Sequence, residues 1–370
     1  MCDSAWCVEQ QSATDRYTRA VHDAEQQYGP MDATLVAPLA GLADALAAAG
    51  QPADAIEPLT RAVNILRRSS GLYDPRQYAL LNQLTDLHSL QGDVDAAVAA
   101  LAYMERVSEH AHGRQSTLHA NTLAGIGAWH CRLGRFDIGR ERLRRSIERL
   151  RSAEQQALIA ALLGLARCSF DELAGEGVAT SPNSLDRYRG PVLRTNRMSI
   201  DSPAFHYRVL KMLRPDGEQA LRYAAQLAET ATLTPERRAA VLLQAGDWFQ
   251  AKDHSRTARR YYASAQRWVQ RTVGAEDPLA APVQVLYPMP TLALRRGPAH
   301  ESSAAQRYVE IEFTVRADGR IDRERVLTRE PGKSAADETL QALRAARYRP
   351  RMVEGAVLDT EGVRFRQAFR

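Results

Sequence analysis

The chain has 370 residues, a net charge of +5, 45% apolar residues and four cysteines. That length exceeds one ordinary core and predicts two or three domains. Acids nearly balance bases and no basic block stands alone, so the sequence shows no clustered basic face of the kind nucleic-acid binding needs, and the net charge by itself decides nothing about partners. The cysteines are too few for a disulfide scaffold and lack zinc-ligand spacing.

A tail over residues 1–14 carries Cys2 and Cys7, readable as a small disulfide loop or as two incidental thiols. Residues 15–27 then read as a half-unit opening a helical array. Gly50, Gly92 and Gly134 are spaced 42 apart, as are Leu59, Leu101 and Leu143. Aligned on them, Leu39, Leu42, Ala43, Leu46, Ala55, Leu59 and Ala62 correspond to Leu81, Leu84, Thr85, His88, Ala97, Leu101 and Met104. The third unit reads Leu123, Ile126, Gly127, His130, Gly139, Leu143 and Ser146. Large and small residues at these offsets predict antiparallel helix pairs that cross closely at the small positions. The spaced glycine would cap the first helix of each pair. Tyr28-Gly29-Pro30 and Tyr73-Asp74-Pro75 act as breakers between pairs. Cys131 and Cys168 fall on apolar helical stretches and read as buried free thiols. His110, His112 and His119 read as solvated loop residues rather than metal ligands, because no i, i+4 partner or cysteine accompanies them.

After Leu173 the repeat fails. Residues 175–203, rich in Gly, Ser, Pro and Arg, predict a loop or insertion. Helical spacing resumes at 203–213 and 217–230. The sharpest unit follows, with Leu242, Ala245, Gly246, Phe249, Ala258, Tyr262 and Ala265 at the key offsets. Over residues 15–274 these units resemble tetratricopeptide repeats in an elongated form. The resemblance implies a scaffold with a concave groove for a peptide or partner protein. Its lining would come from Asn82, Gln83, Asp86, Asn121 and Arg132, then Gln244, Asp247 and Gln250.

Residues 275–290 form a linker carrying Pro278, Pro282, Pro288 and Pro290, which favour extended backbone. A different module follows over 291–370. Val309, Ile311, Phe313 and Val315 alternate with polar residues, the period of a strand with one buried face. Asp318-Gly319 signals a hairpin, since glycine accepts positive φ. A second short strand is expected at 325–328. A helix follows at 337–346, with Leu340, Leu343 and Ala346 on one face. Arg347-Tyr348-Arg349-Pro350 stops it, and a last strand covers 363–369. The expected fold is mainly α: a tetratricopeptide-like solenoid followed by a small α+β domain of ββαβ order.

That order resembles the C-terminal domain of the TonB family. The residues carrying the likeness are Tyr287-Pro288, Ala293-Leu294-Arg295, 308–315, Ala317-Asp318-Gly319-Arg320-Ile321-Asp322 and Arg347-Tyr348-Arg349-Pro350. One departure is the stretch 298–307, where the family passes almost directly into the first strand. The resemblance implies a protein of the Gram-negative periplasm that helps relay inner-membrane energy to outer-membrane receptors. Contact would be strand addition, in which a receptor segment pairs with the exposed edge of the last strand. The residues implied are Val363, Arg364, Phe365, Arg366 and Gln367, with Gln284, Val285, Leu286 and Tyr287 before the first strand.

The expected partners are a TonB-dependent receptor and a second protein at the repeat groove, with no nucleic acid. Membrane contact would come only through an anchor absent from this chain: either it was removed from a full-length precursor or the repeats replace it. Met1-Cys2-Asp3 matches a mature lipoprotein start, though no lipobox precedes it. No phosphate loop, nucleophile elbow or metal motif is found, so no catalytic residue, cofactor or metal is expected. The alternative is a repeat scaffold whose TonB-like domain only caps the array or forms a homodimer.

Overall fold

The computed structural model describes residues 5–150, 155–174, 216–271, 277–287, 307–330 and 332–369. The expected loop at 175–203, the helix at 203–213, Cys2, and the motif Ala293-Leu294-Arg295 lie outside the described residues. By contacts the chain divides into two units, Met1–Ile126 and Gly127–Arg370.

The first unit is a run of helices: α1 (Ala5–Tyr28), a 3-10 turn (Ala33–Leu35), α2 (Val36–Ala48), α3 (Ile56–Ser69), α4 (Gln77–Leu90), α5 (Val94–His112) and most of α6 (Thr117–Arg132). From α1 to α5 each packs on the next in sequence. The repeat positions supply the core, with Leu39, Ala43, Ala55, Leu59, Ala62, Leu81, Leu84, Ala97 and Leu101 all buried. Gly50 and Gly92 take φ of 78° and 75°, the left-handed turn that ends a first helix. The histidines depart from expectation. His110 and His112 close α5, and His110 stacks on Tyr73 at 3.8 Å. His119 lies in α6 and is buried, because that helix starts earlier than the sequence indicates. Among the described residues no His, Cys, Asp or Glu group could hold a metal.

The second unit continues with α7 (Phe136–Leu150), α8 (Gln155–Ala174), α9 (Asp216–Thr230), α10 (Pro235–Ala251) and α11 (Ser255–Val269). The small residues do bring helices close: a side chain at Gly127 would meet the Gly139 carbonyl, and one at Gly246 would meet the Tyr262 ring. Cys131 and Cys168 are joined by a disulfide, with Cα atoms 5.3 Å apart, and are not the free thiols expected. Their 37-residue separation hides the pairing in sequence. Packing of α8 beside α6 decides it.

Among the described residues seven strands follow: β1 (Val283–Leu286), β2 (Arg307–Val315), β3 (Ile321–Arg329), β4 (Arg347–Arg349), β5 (Arg351–Val353), β6 (Ala356–Leu358) and β7 (Thr360–Phe369), with α12 (Lys333–Ala345) between β3 and β4. β2 is the centre of an antiparallel sheet of order β3-β2-β7. Its inward residues Val309, Ile311, Phe313 and Val315 pack with Ala336 and Leu343 of α12 and with Tyr348 and Phe369. The ββαβ expectation describes this sheet but omits two smaller pairings. β1 pairs with β4, and β5 with β6. Each strand there is three or four residues long, too short for alternation to show in sequence.

Candidate functional site

β7 is an edge strand. One side pairs with β2 from Arg307↔Phe369 to Val315↔Thr360, and the other has no strand partner among the described residues. Val363, Phe365 and Gln367 are half-buried on the face toward α12, while Arg364 and Arg366 are exposed. The two arginines are tied to the central strand: Arg364 donates to Glu312 at 3.2 Å, and Arg366 to Glu310 at 3.4 Å. Arg366 also lies over the Tyr308 ring at 4.2 Å. The edge is therefore an ordered row of backbone donors and acceptors, flanked by charge that discourages indiscriminate pairing.

Of the second predicted set, Gln284 and Leu286 are register partners of Tyr348 and Arg347 in the β1–β4 pair. β4 thus holds this segment, leaving only its far edge for a partner. Tyr287 reaches β7. Its hydroxyl donates to Gln367 Oε1 at 3.1 Å, and its ring is 4.8 Å from that of Phe365. Burial pushes its phenol well above the ordinary range, so it stays neutral.

The predicted groove residues divide sharply. On α4, Asn82 and Asp86 are exposed, as is Asn121 on α6, and Gln83 donates to Asp44 at 2.8 Å. Arg132 and Gln244 are exposed as well. On α10, Asp247 and Gln250 are occupied by the chain's own C-terminal module. Arg349 forks onto Asp247, with Nε at 2.9 Å and Nη2 at 2.5 Å, and Tyr262 donates to the same carboxylate at 2.9 Å. Gln250, expected to face a groove, is buried and donates to the Asp318 carbonyl at 2.5 Å. Solenoid ends need a cover for their last apolar face. Here Leu279 and Met352 join the core of α10 and α11, with Met352 N donating to Leu279 O at 2.9 Å.

No family model and no curated protein matches the chain. Solved structures similar to it are helical-repeat proteins. One is BtubC (BKLC) from P. vanneervenii, with TM-score 0.46 and 12% identity over 82% of this chain and 98% of that one. Another is the Podosopora anserina chain of nearly identical TPR-like repeats named for kinesin light chain, with TM-score 0.43 and 14% identity over 64% of this chain and 96% of that one. At these TM-scores the likeness carries nothing about binding, and the repeat architecture stands on the helical pairs themselves.

Sequence reasoning missed the junction roles of Arg349, Arg347, Arg320 and Asp253. Arg347 donates to Asp253 at 2.5 and 2.9 Å, and Arg320 reaches the same carboxylate at 3.3 Å. Burial raises the Asp253 carboxyl, but the bond to Arg347 and the charges of Arg347 and Arg320 outweigh it and hold the group below its usual range. A signal was present in the repeat itself. Asp253 falls eleven residues after Leu242, the offset at which Gly50 follows Leu39 and Gly92 follows Leu81.

Proposed function

We propose that this protein is a non-enzymatic periplasmic adaptor of TonB-like type, which grips a partner segment by strand addition at β7. The observation that carries the reading is the outer edge of β7, which has no strand partner among the described residues. The Cys131–Cys168 disulfide supports an oxidising compartment, since such bonds persist in the periplasm and are rare in the cytosol. An outer-membrane TonB-dependent receptor is the partner the resemblance points to, and the helical repeats offer a second protein-binding surface. The test is hydrogen exchange with peptides from receptor plug segments. Binding should protect amides of β7, and Phe365→Pro should abolish it. Arg364→Glu with Arg366→Glu, which leaves the core untouched, should change affinity and salt dependence. Protection confined to the helices, or binding indifferent to both variants, overturns the reading.

A second reading, capping of the repeats, is favoured by the Arg349–Asp247 fork and by Met352 in the helical core. The two are compatible because capping uses β4 and β5, whereas strand addition uses β7.

A further inference from the structure

Asp44, Asp86 and Asp247 occupy one repeat position, each five residues after the leading leucine of its unit, Leu39, Leu81 or Leu242. In the last unit the structure shows what this position takes. An extended three-residue strand, β4, lays Arg349 onto Asp247, and the guanidinium fits the carboxylate through two donors. In the first unit Asp44 accepts from Gln83. In the third the position is Ala128, with no charge. Asp86 is different. It is exposed on α4 and has no hydrogen-bond or ion-pair partner among the described residues. Asn82, one turn away on the same helix, is exposed beside it.

We propose that the α4 face binds an extended segment of a partner protein that presents an arginine to Asp86, in the manner in which the chain's own β4 presents Arg349 to Asp247. The proposal rests on reading the helical repeats as a protein-interaction surface, and it names the partner's chemistry. Arginine is preferred to lysine because its planar fork satisfies both carboxylate oxygens, as it does at Asp247. An extended backbone is preferred because alternate residues point the same way, so one residue of a strand can face the helix while its neighbours face away.

The experiment titrates the full-length protein with a labelled peptide containing Arg-Tyr-Arg, read by fluorescence anisotropy. The comparison peptides carry citrulline or glutamate in place of each arginine. Asp86→Asn and the citrulline peptide should each weaken binding at least about tenfold, the loss expected for one charge-assisted pair. Asp54→Asn, at an exposed acid in the α2–α3 connection, should change nothing. No binding by the arginine peptide, equal binding by the glutamate peptide, or indifference to Asp86→Asn overturns the proposal. So does binding lost in Asp247→Asn but kept in Asp86→Asn, since the peptide would then be replacing β4 at the last helical pair. Failure of the underlying reading is seen separately. A random peptide library screened against the protein would yield no binder sensitive to Asn82→Ala or Asn121→Ala. Binders that are sensitive but lack arginine would leave that reading standing and overturn the arginine assignment alone.

Discussion

Where the first helix of a repeat ends, Gly50, Gly92 and Gly134 take left-handed backbone with φ of 78°, 75° and 71°, and in the last repeat Asp253 takes it at 63°. A non-glycine residue there costs about 1 kcal/mol, with aspartate among the more tolerant. In return the carboxylate grips Arg347 and Arg320. Gly319 faces it across the same junction at φ 81°, and a side chain there would strike Gln250 and the Tyr348 carbonyl. Gly319→Ala should therefore lower stability by about 2 kcal/mol or more, through backbone strain and displacement of the junction. Thermal unfolding of the variant checks it. His130 supplies a pH dependence. Burial, followed by the charges of Arg135 and Arg142, lowers its pKa from 6.5 to about 4. The neutral ring is the folded form, so the unfolded chain takes up the proton first as pH falls. Stability should be unaffected above pH 6.5 and fall by up to about 3 kcal/mol on the way to pH 4. Urea titrations at several pH values should show this slope, and His130→Gln should flatten it.

Among the elements, α6 and α8 are fastened by the Cys131–Cys168 bond at a point where Gly139 leaves room for the Cys131 sulfur. Closing a loop over 37 residues of separation is worth about 4 kcal/mol through the unfolded chain. Replacing both cysteines by alanine should remove about that much in urea unfolding. The same loss on adding reductant to the native protein, and none on adding it to the double variant, would assign the effect to the bond. Burial beside this bond also includes Arg140, which reaches Glu172 at 2.6 Å and Asp137 at 2.5 Å. β7 represents the opposite case. Its ten residues present one face to the core and one edge without a strand partner among the described residues, and only its alternation fixes which side chains point inward.

At the scale of the whole molecule, each unit has its own core. In the second, two hydrophobic clusters meet through short strands: one centred on α10 and α11, the other between α12 and the sheet. Asp247–Arg349 is the polar pin between them, with side-chain exposures of only 23% and 11%. Arg349→Met would leave a half-buried carboxylate beside Tyr262 and should cost about 3 kcal/mol. The double variant Arg349→Met with Asp247→Asn should recover part of that. Limited proteolysis should release the 277–369 segment faster in the single variant. Equal proteolysis rates in all three proteins would show that apolar contacts such as Met352 hold the module without the pin.

By itself the sequence determined the helical pairs, their close crossings and the glycine turns, because 42-residue spacing and large-small alternation are local properties of the chain. It determined the central strand and its hairpin for the same reason: Val309 to Val315 alternates, and Asp318-Gly319 can turn. Tertiary structure alone decided what those parts touch. Asp86 and Asp247 are indistinguishable by offset and residue type, yet one faces solvent and the other holds Arg349. Cys131 and Cys168 looked like core thiols until α8 lay beside α6. His119 looked solvated until α6 enclosed it. In each case a local pattern fixes the face a side chain points from, and only long-range packing fixes what stands opposite.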